Sequence, residues 1–198
     1  MADVGHRTTR ELEAARPRLR ESPSDRGTVE LIVRRPAVDQ RELVDVAELS
    51  VEEGIVGDSW LERGSRHTPD GSAEADRQIT IMNARAIALF AGDDRARWAE
   101  AGDQLYIDLD LSDASLPAGT RLQLGSAVIE VTATPHTGCA KFAGRFGRDA
   151  LQFANSAAGS ELHLRGINAR VVLPGTVRVG DVATKVAAAT PLSASSSA

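Results

Sequence analysis

The 198-residue sequence is poor in cysteine, in long apolar runs and in surplus positive charge, and each shortage excludes something. A single cysteine, Cys139, rules out an intramolecular disulfide, which excludes a stapled extracellular scaffold and suits a reducing compartment. No apolar stretch approaches the ~20 residues that span a bilayer. The arginine-rich start, Met1 to Gly27, has no apolar core that would serve as a secretory signal. The expectation is a cytoplasmic protein with no membrane partner. Lys and Arg number 23 against 28 Asp and Glu, a formal net charge of −5, whereas a general nucleic-acid binder carries a basic surplus; no nucleic-acid partner is expected. Cysteine clusters for iron–sulfur ligation and a Gly-rich dinucleotide fingerprint are also missing. What is present is 42% hydrophobic and 26% charged residues, enough for a core without disulfides or a structural metal.

The composition divides the chain into three parts. Residues 1–27 carry many charges with Pro17 and Pro23 and read as a flexible leader, within which Thr9–Arg16 is able to form a short helix. Residues 187–198 are Ala/Ser-rich and read as a disordered tail. Residues 28–186 form the working domain. Strand signals dominate it: Val29–Arg34, Leu43–Leu49, Gln78–Met82, Leu105–Leu109, Arg121–Leu124, Val128–Thr132, Ala169–Leu173 and Thr176–Val179, separated by Gly, Pro and Asp turns. Such spacing predicts a mainly β fold, a barrel or a sandwich, with few helices. Asn83 is placed to cap a helix that ends at Gly92, a second helix begins near Cys139 and is interrupted by Gly147, and Asp149 is placed to cap a third over Ala150–Asn155. Polar Gly64–Asp76 reads as a long surface loop.

The stretch richest in chemistry is Thr134-Pro135-His136-Thr137-Gly138-Cys139, followed by Lys141, Arg145 and Arg148 at helical spacing. Pro and Gly turn the chain after a β run and leave Cys139 where a helix begins, a setting that favours a thiolate, which is both a nucleophile and a soft metal ligand. A second reading stands beside it: Cys139, Phe142 and Phe146 are spaced i, i+3 and i+7, the pattern of one buried helix face. His136 is three residues before Cys139. His-x-x-Cys is half of a zinc pattern, but with no second cysteine and with His6, His67 and His163 scattered, a structural zinc site is not expected. His136 is instead a candidate for proton transfer, or an ordinary surface histidine beside a turn. Asp58, after Gly57, reads first as a turn residue.

The run Cys139-x-Lys141-Phe142-x-x-Arg145-Phe146-Gly147, then Leu164-Arg165-Gly166, Pro174-Gly175 and Val179-Gly180-Asp181, resembles the MOSC family, the C-terminal domain of molybdenum-cofactor sulfurases and its stand-alone bacterial relatives. Upstream, Gly54-Ile55-Val56-Gly57-Asp58 resembles the family's early Gly-x-x-Gly-Asp turn, and Arg77-Gln78-Ile79-Thr80 its Arg-Gln-Val-Thr/Ser strand. The resemblance spans about Val29 to Val182. Two departures stand out: Gly102-Asp103-Gln104-Leu105 replaces Gly-Glu-Asn-Leu, and Gly138 replaces the proline that often precedes the cysteine.

The resemblance implies a closed MOSC-type β-barrel that holds the molybdenum cofactor (molybdopterin), with Cys139 as metal ligand. It implies phosphate or pterin partners among Arg77, Gln104, Lys141, Arg145 and Arg165, and places Cys139, Arg165 and Arg77 around one cleft. Arginine grips such groups bidentately, though any one of these cations also reads as a solvated surface charge. The leading expectation is an oxidoreductase that reduces N-hydroxylated or N-oxide compounds, with Cys139 and His136 at the reaction and electrons from a donor protein. The alternative is a sulfur or cofactor carrier that uses a Cys139 persulfide to serve a molybdoenzyme, charged by a sulfur donor. A thiol hydrolase or transferase using Cys139 with His136 or His163, and an inert interaction barrel, complete the choices. Substrate, electron donor and oligomeric state are not readable from the sequence.

Overall fold

The computed structural model describes residues 5–186. Eleven strands run in chain order as β1 (Arg26–Arg34), β2 (Glu42–Val44), β3 (Val46–Ser50), β4 (Gly54–Ile55), β5 (Ile79–Asn83), β6 (Leu105–Asp108), β7 (Arg121–Leu124), β8 (Ala127–Val131), β9 (Ile167–Leu173), β10 (Gly175–Arg178) and β11 (Val182–Val186). Seven of them close on themselves in the order β1-β11-β7-β8-β9-β5-β6 and back to β1, and β2 extends from β1. All pairings around the ring are antiparallel except β5 with β6. A barrel of this kind leaves no free edge within the ring. The expected closed β-barrel is therefore the observed fold. Strands β10, β3 and β4 form a small second sheet whose Ala47, Leu49, Ile55 and Val177 join the barrel's interior cluster.

Two cores follow from the alternation of side chains along the strands. The interior is wholly aliphatic and includes Val29, Ile32, Ile79, Ile81, Leu105, Ile107, Leu122, Ile129 and Val171. On β1, β5 and β6 the outward residues are buried as well: Leu31, Val33, Met82 and Tyr106 pack beneath helices rather than facing water. That is why β1 reads as an unbroken apolar run at Leu31-Ile32-Val33 instead of alternating.

The described residues form seven α-helices, α1 (Thr9–Arg20), α2 (Trp60–Arg63), α3 (Ala84–Ala91), α4 (Arg95–Ala99), α5 (Ala140–Phe146), α6 (Arg148–Ala154) and α7 (Ala157–Glu161), of which α1, α3, α4, α5 and α6 supply buried residues to the cover over this wall. The outer core collects Phe90, Trp98, Tyr106, Phe142, Phe146 and Phe153. Asn83 caps α3 as expected, accepting from the Arg85 and Ala86 N–H groups, and Gly92 ends it.

The structure corrects the sequence reading at three places. The stretch expected as a flexible leader contains α1, held by a reciprocal Thr8–Glu11 capping box and by Leu12 and Leu19, which are buried in the outer core; residues 1–4 lie outside the described region. Asp149 does not cap α6. Gly147, at φ 95°, is the residue before that helix, and Asp149 accepts from the Thr9 N–H at 2.8 Å, tying α1 to α6. Strand β11, unforeseen, completes the barrel by joining β7 to β1. The tail expected over residues 187–198 lies outside the described residues.

Candidate functional site

The β8–α5 connection, Thr132 to Cys139, is fixed at both ends. Asn168 Nδ2 donates to the Thr134 carbonyl at 3.0 Å, and the Thr132 hydroxyl donates to the Asp76 carbonyl at 2.6 Å. At the far end, the Asn155 side chain accepts from the Gly138 N–H at 2.9 Å and donates to the Gly138 carbonyl at 3.2 Å. A side chain at 138 would put its Cβ 2.6 Å from Leu151 Cδ1 and 3.1 Å from Asn155 Oδ1, so those side chains would have to shift, and a proline there would have no N–H to give Asn155. The departure from the family's proline at this position thus has a local physical reason.

Cys139 is exposed. It is the residue before α5, with extended dihedrals (φ −125°, ψ 177°), so it leaves the helical face on which Phe142 and Phe146 are buried. The reading that placed its sulfur among those rings is overturned. Its side chain makes no capping hydrogen bond.

The candidate partner residues have separate fates. Lys141 Nζ and Arg145 Nη2 both approach Asp39 Oδ1, at 3.6 and 3.7 Å. Arg145 is further occupied, donating from Nη1 to the Glu100 carbonyl. Arg77 pairs with Glu74 at 3.0 Å and reaches the Pro135 carbonyl at 3.4 Å, which joins it to the loop that leads to Cys139. Gln104 is fully buried; its Oε1 accepts from the Thr80 N–H and hydroxyl, and its Nε2 has no partner. Arg165 is turned inward, with 9% of its side chain exposed. It binds Asp103 Oδ2 at 2.5 Å and the Ala101 carbonyl at 2.9 Å, with its guanidinium 5.2 Å from the Phe142 ring centroid.

Cys139, Arg165 and Arg77 do not share one cleft. Arg165 and His136 line a cavity of about 400 Å³ that also takes in Thr137 and Asn155. Arg77 lines a more open cleft of about 620 Å³ with Trp60, Arg63 and Arg66. The Pro135–Thr137 segment connects the two regions, and Cys139 follows it at the surface.

Residues outside the expected partner set complete the site. Asp58 is not a simple turn residue: it is wholly buried and accepts from Arg35 through Nε (2.9 Å), Nη2 (3.0 Å) and the backbone N–H (3.0 Å), and from the Trp60 N–H (3.0 Å). Arg35 also donates to the Gly102 carbonyl at 2.9 Å, so Arg35 and Arg165 grip Gly102 and Ala101 from two sides. Asp103, next in line, is 0% exposed. Burial raises its pKa, opposed by the Arg165 charge. Burial, then Arg165, Arg77 and Arg35, hold the His136 imidazole well below its ordinary range, so it is neutral. Near this centre burial lowers the pKa of both Arg41 and Arg63; Arg35 and Arg145 repel the first, Arg35 and Arg41 the second. A group of guanidiniums that repel one another is a setting that an anion would relieve. His163, the other candidate base, directs Nδ1 to the Leu111 carbonyl at 2.7 Å and Nε2 towards Asp113 at 3.5 Å. No helix among the described residues is long and apolar enough to cross a membrane.

Comparison with known proteins supplies the context. Residues 66–184 match the model of the MOSC domain. The YuaD protein from Bacillus subtilis superposes with a TM-score of 0.55 at 20% identity, over 80% of this chain and 96% of that one. YiiM from Escherichia coli superposes at 0.53 with 18% identity, over 82% and 71%, and YiiM from Geobacillus stearothermophilus at 0.53 with 14% identity, over 81% and 75%. At these identities the structures speak for the fold alone. No curated protein matches the chain.

Proposed function

The chain belongs to the MOSC domain family, a family associated with molybdenum-cofactor binding, and from that premise we propose that it binds this cofactor with Cys139 as the metal ligand. The observation that carries the reading is the exposure of the Cys139 sulfur at the end of a loop held by Asn155. A thiolate suits a soft metal site. The remaining donor set fits the group's other end: Arg41 and Arg63 are cations that repel one another and would be relieved by an anionic phosphate, Arg77 lies in the Arg63 cleft but is already paired with Glu74, and Gln104 Nε2 is a buried donor still without a partner. Lys141 has only a loose, exposed pair with Asp39 and is free to turn towards an anion. Arg165 and Arg145 act differently, Arg165 as a brace for Asp103 and Arg145 as a tie to the Glu100 carbonyl.

The activity we propose is reduction of N-hydroxylated or N-oxide compounds, with electrons from a donor protein. When bound, the cofactor supplies two-electron oxygen-atom removal, and the oxygen leaves as water with two protons. The chain's part is to hold the cofactor through Cys139, to neutralise its phosphate, and to offer His136 as the nearby group able to pass a proton. The exposed sulfur equally supports the second reading, a persulfide carrier that serves a molybdoenzyme.

The two separate experimentally. Protein made in a cofactor-competent host is analysed for molybdenum and pterin, then assayed with a chemically reduced dye and an N-oxide, wild type beside Cys139→Ser. The reductase reading expects near-stoichiometric metal and turnover in wild type and neither in the variant. Persulfide on Cys139 by mass spectrometry, with no turnover, favours the carrier. Equal molybdenum in both proteins removes the proposed ligand role.

A further inference from the structure

Behind the Cys139 loop two buried polar atoms face each other with no other partner. Asp103 Oδ1 and His136 Nδ1 are 3.4 Å apart, close enough for an ion pair, and neither makes a hydrogen bond to any other group or, at this geometry, to the other. The other carboxylate oxygen, Oδ2, is held by Arg165 Nη1 at 2.5 Å. The imidazole reaches this position because residue 166 is glycine at φ 110°: a Cβ there would lie 3.2 Å from His136 Nδ1 and 2.2 Å from the Ile81 carbonyl. Two facing acceptor atoms sealed from water are unstable unless they share a proton. Burial raises the Asp103 pKa, but the Arg165 guanidinium, 2.5 Å from Oδ2, favours the charged carboxylate, and we assign the proton to the ring.

We infer that Asp103, braced by Arg165, fixes His136 as the neutral Nδ1–H tautomer and leaves Nε2 as a lone-pair acceptor towards the cavity of about 400 Å³ that His136 lines. Asp103 is therefore a positioning residue acting through His136. The cavity occupant this arrangement takes at Nε2 is a group with an O–H or N–H donor. The charged groups bearing on the ring are Arg165, Arg77 and Arg35 on one side of the balance and Asp103 on the other. Burial and the three arginines keep the ring uncharged, the condition for a tautomer to exist. The inference deepens the proton-transfer role proposed for His136, because a ring whose Nε2 already carries a proton cannot accept one there, but it holds for the metal-free chain as well.

The test is a long-range nitrogen–proton spectrum of the full chain labelled with nitrogen-15 histidine, with His136 assigned among the four histidines by His136→Gln. The expected spectrum has a protonated, pyrrole-type Nδ1 and a bare, pyridine-type Nε2, unchanged between about pH 5.5 and about pH 8. In Asp103→Asn the carboxamide oxygen turns to Arg165 and its NH₂ faces the ring, so the pattern inverts to Nε2–H. A wild-type spectrum with Nε2–H, with an imidazolium at neutral pH, or with averaged shifts from two exchanging tautomers overturns the inference. Wild type alone decides if the variant does not fold. Because no cofactor is needed, this outcome is independent of molybdenum content: Nδ1–H in a chain whose Cys139→Ser variant still holds molybdenum keeps this inference and discards the ligand role.

Discussion

Asp103, Arg165, Asp58 and Arg35 are buried, while Cys139, Lys141 and Asp39 are exposed to water. In the sealed cluster Asp58 accepts four hydrogen bonds, two of them the bidentate pair from Arg35, Asp103 accepts one from Arg165, and the arginines also tie down the backbone at Ala101 and Gly102. In the open cluster the ion pairs are 3.6 and 3.7 Å long and share one carboxylate oxygen. Buried charges are expensive to leave unpaired, so the first cluster is a structural framework that sets geometry; exposed pairs contribute little, so the second is free to exchange its partners for a ligand. The division assigns rigidity to the groups behind the Cys139 loop and availability to the sulfur itself.

The sharpest way to break this division is Asp58→Ala. It strands Arg35 without a counter-charge and is expected to cost about 3–5 kcal/mol in denaturant unfolding; a loss below about 1 kcal/mol would show that water reaches the pair and that the cluster is not sealed. Next, Gly166→Ala meets both a positive φ and the Ile81 carbonyl, and an expected loss of about 1–3 kcal/mol should come with displacement of the His136 resonances.

A third effect is read in pH. The unfolded chain's histidine takes up its proton near the ordinary 6.5, whereas the buried ring does not, so the folded state binds fewer protons below that value. The contribution from His136 is thus fully present above pH 6.5 and is lost as pH falls from there towards the depressed folded pKa, by at most about 1.4 kcal/mol per pH unit. Asp103 opposes this, since protonating it relieves a buried charge. His136→Gln should flatten the slope just below pH 6.5; an unchanged slope would mean the ring is not sealed. The smallest effect belongs to the open cluster: Lys141→Ala should change unfolding stability by less than about 0.5 kcal/mol.

The barrel was legible because most of its strands are short apolar segments bounded by turn residues, and the Asn83 cap was legible because capping is local. The leader was misread because its charges hid two well-spaced leucines, Leu12 and Leu19; the Thr8-x-x-Glu11 pair was the available signal. The exposure of Cys139 could not be read from i, i+3, i+7 spacing, since that pattern assumes the residue is helical, and one extended residue before α5 removes it from the face. Asp103 carried no local mark of its role: its partners Arg165 and His136 are distant in sequence and meet it only when β6, β9 and the β8–α5 loop come together. The same holds for Asp58, whose Arg35 partner lies on the far side of a hairpin.

The sulfur of Cys139 is proposed to bond the metal. X-ray absorption at the molybdenum edge, on loaded wild type and on Cys139→Ser loaded under the same conditions, counts the sulfur neighbours directly. The prediction is one sulfur fewer in the variant, or metal too sparse to measure. An unchanged sulfur shell at undiminished occupancy would contradict it.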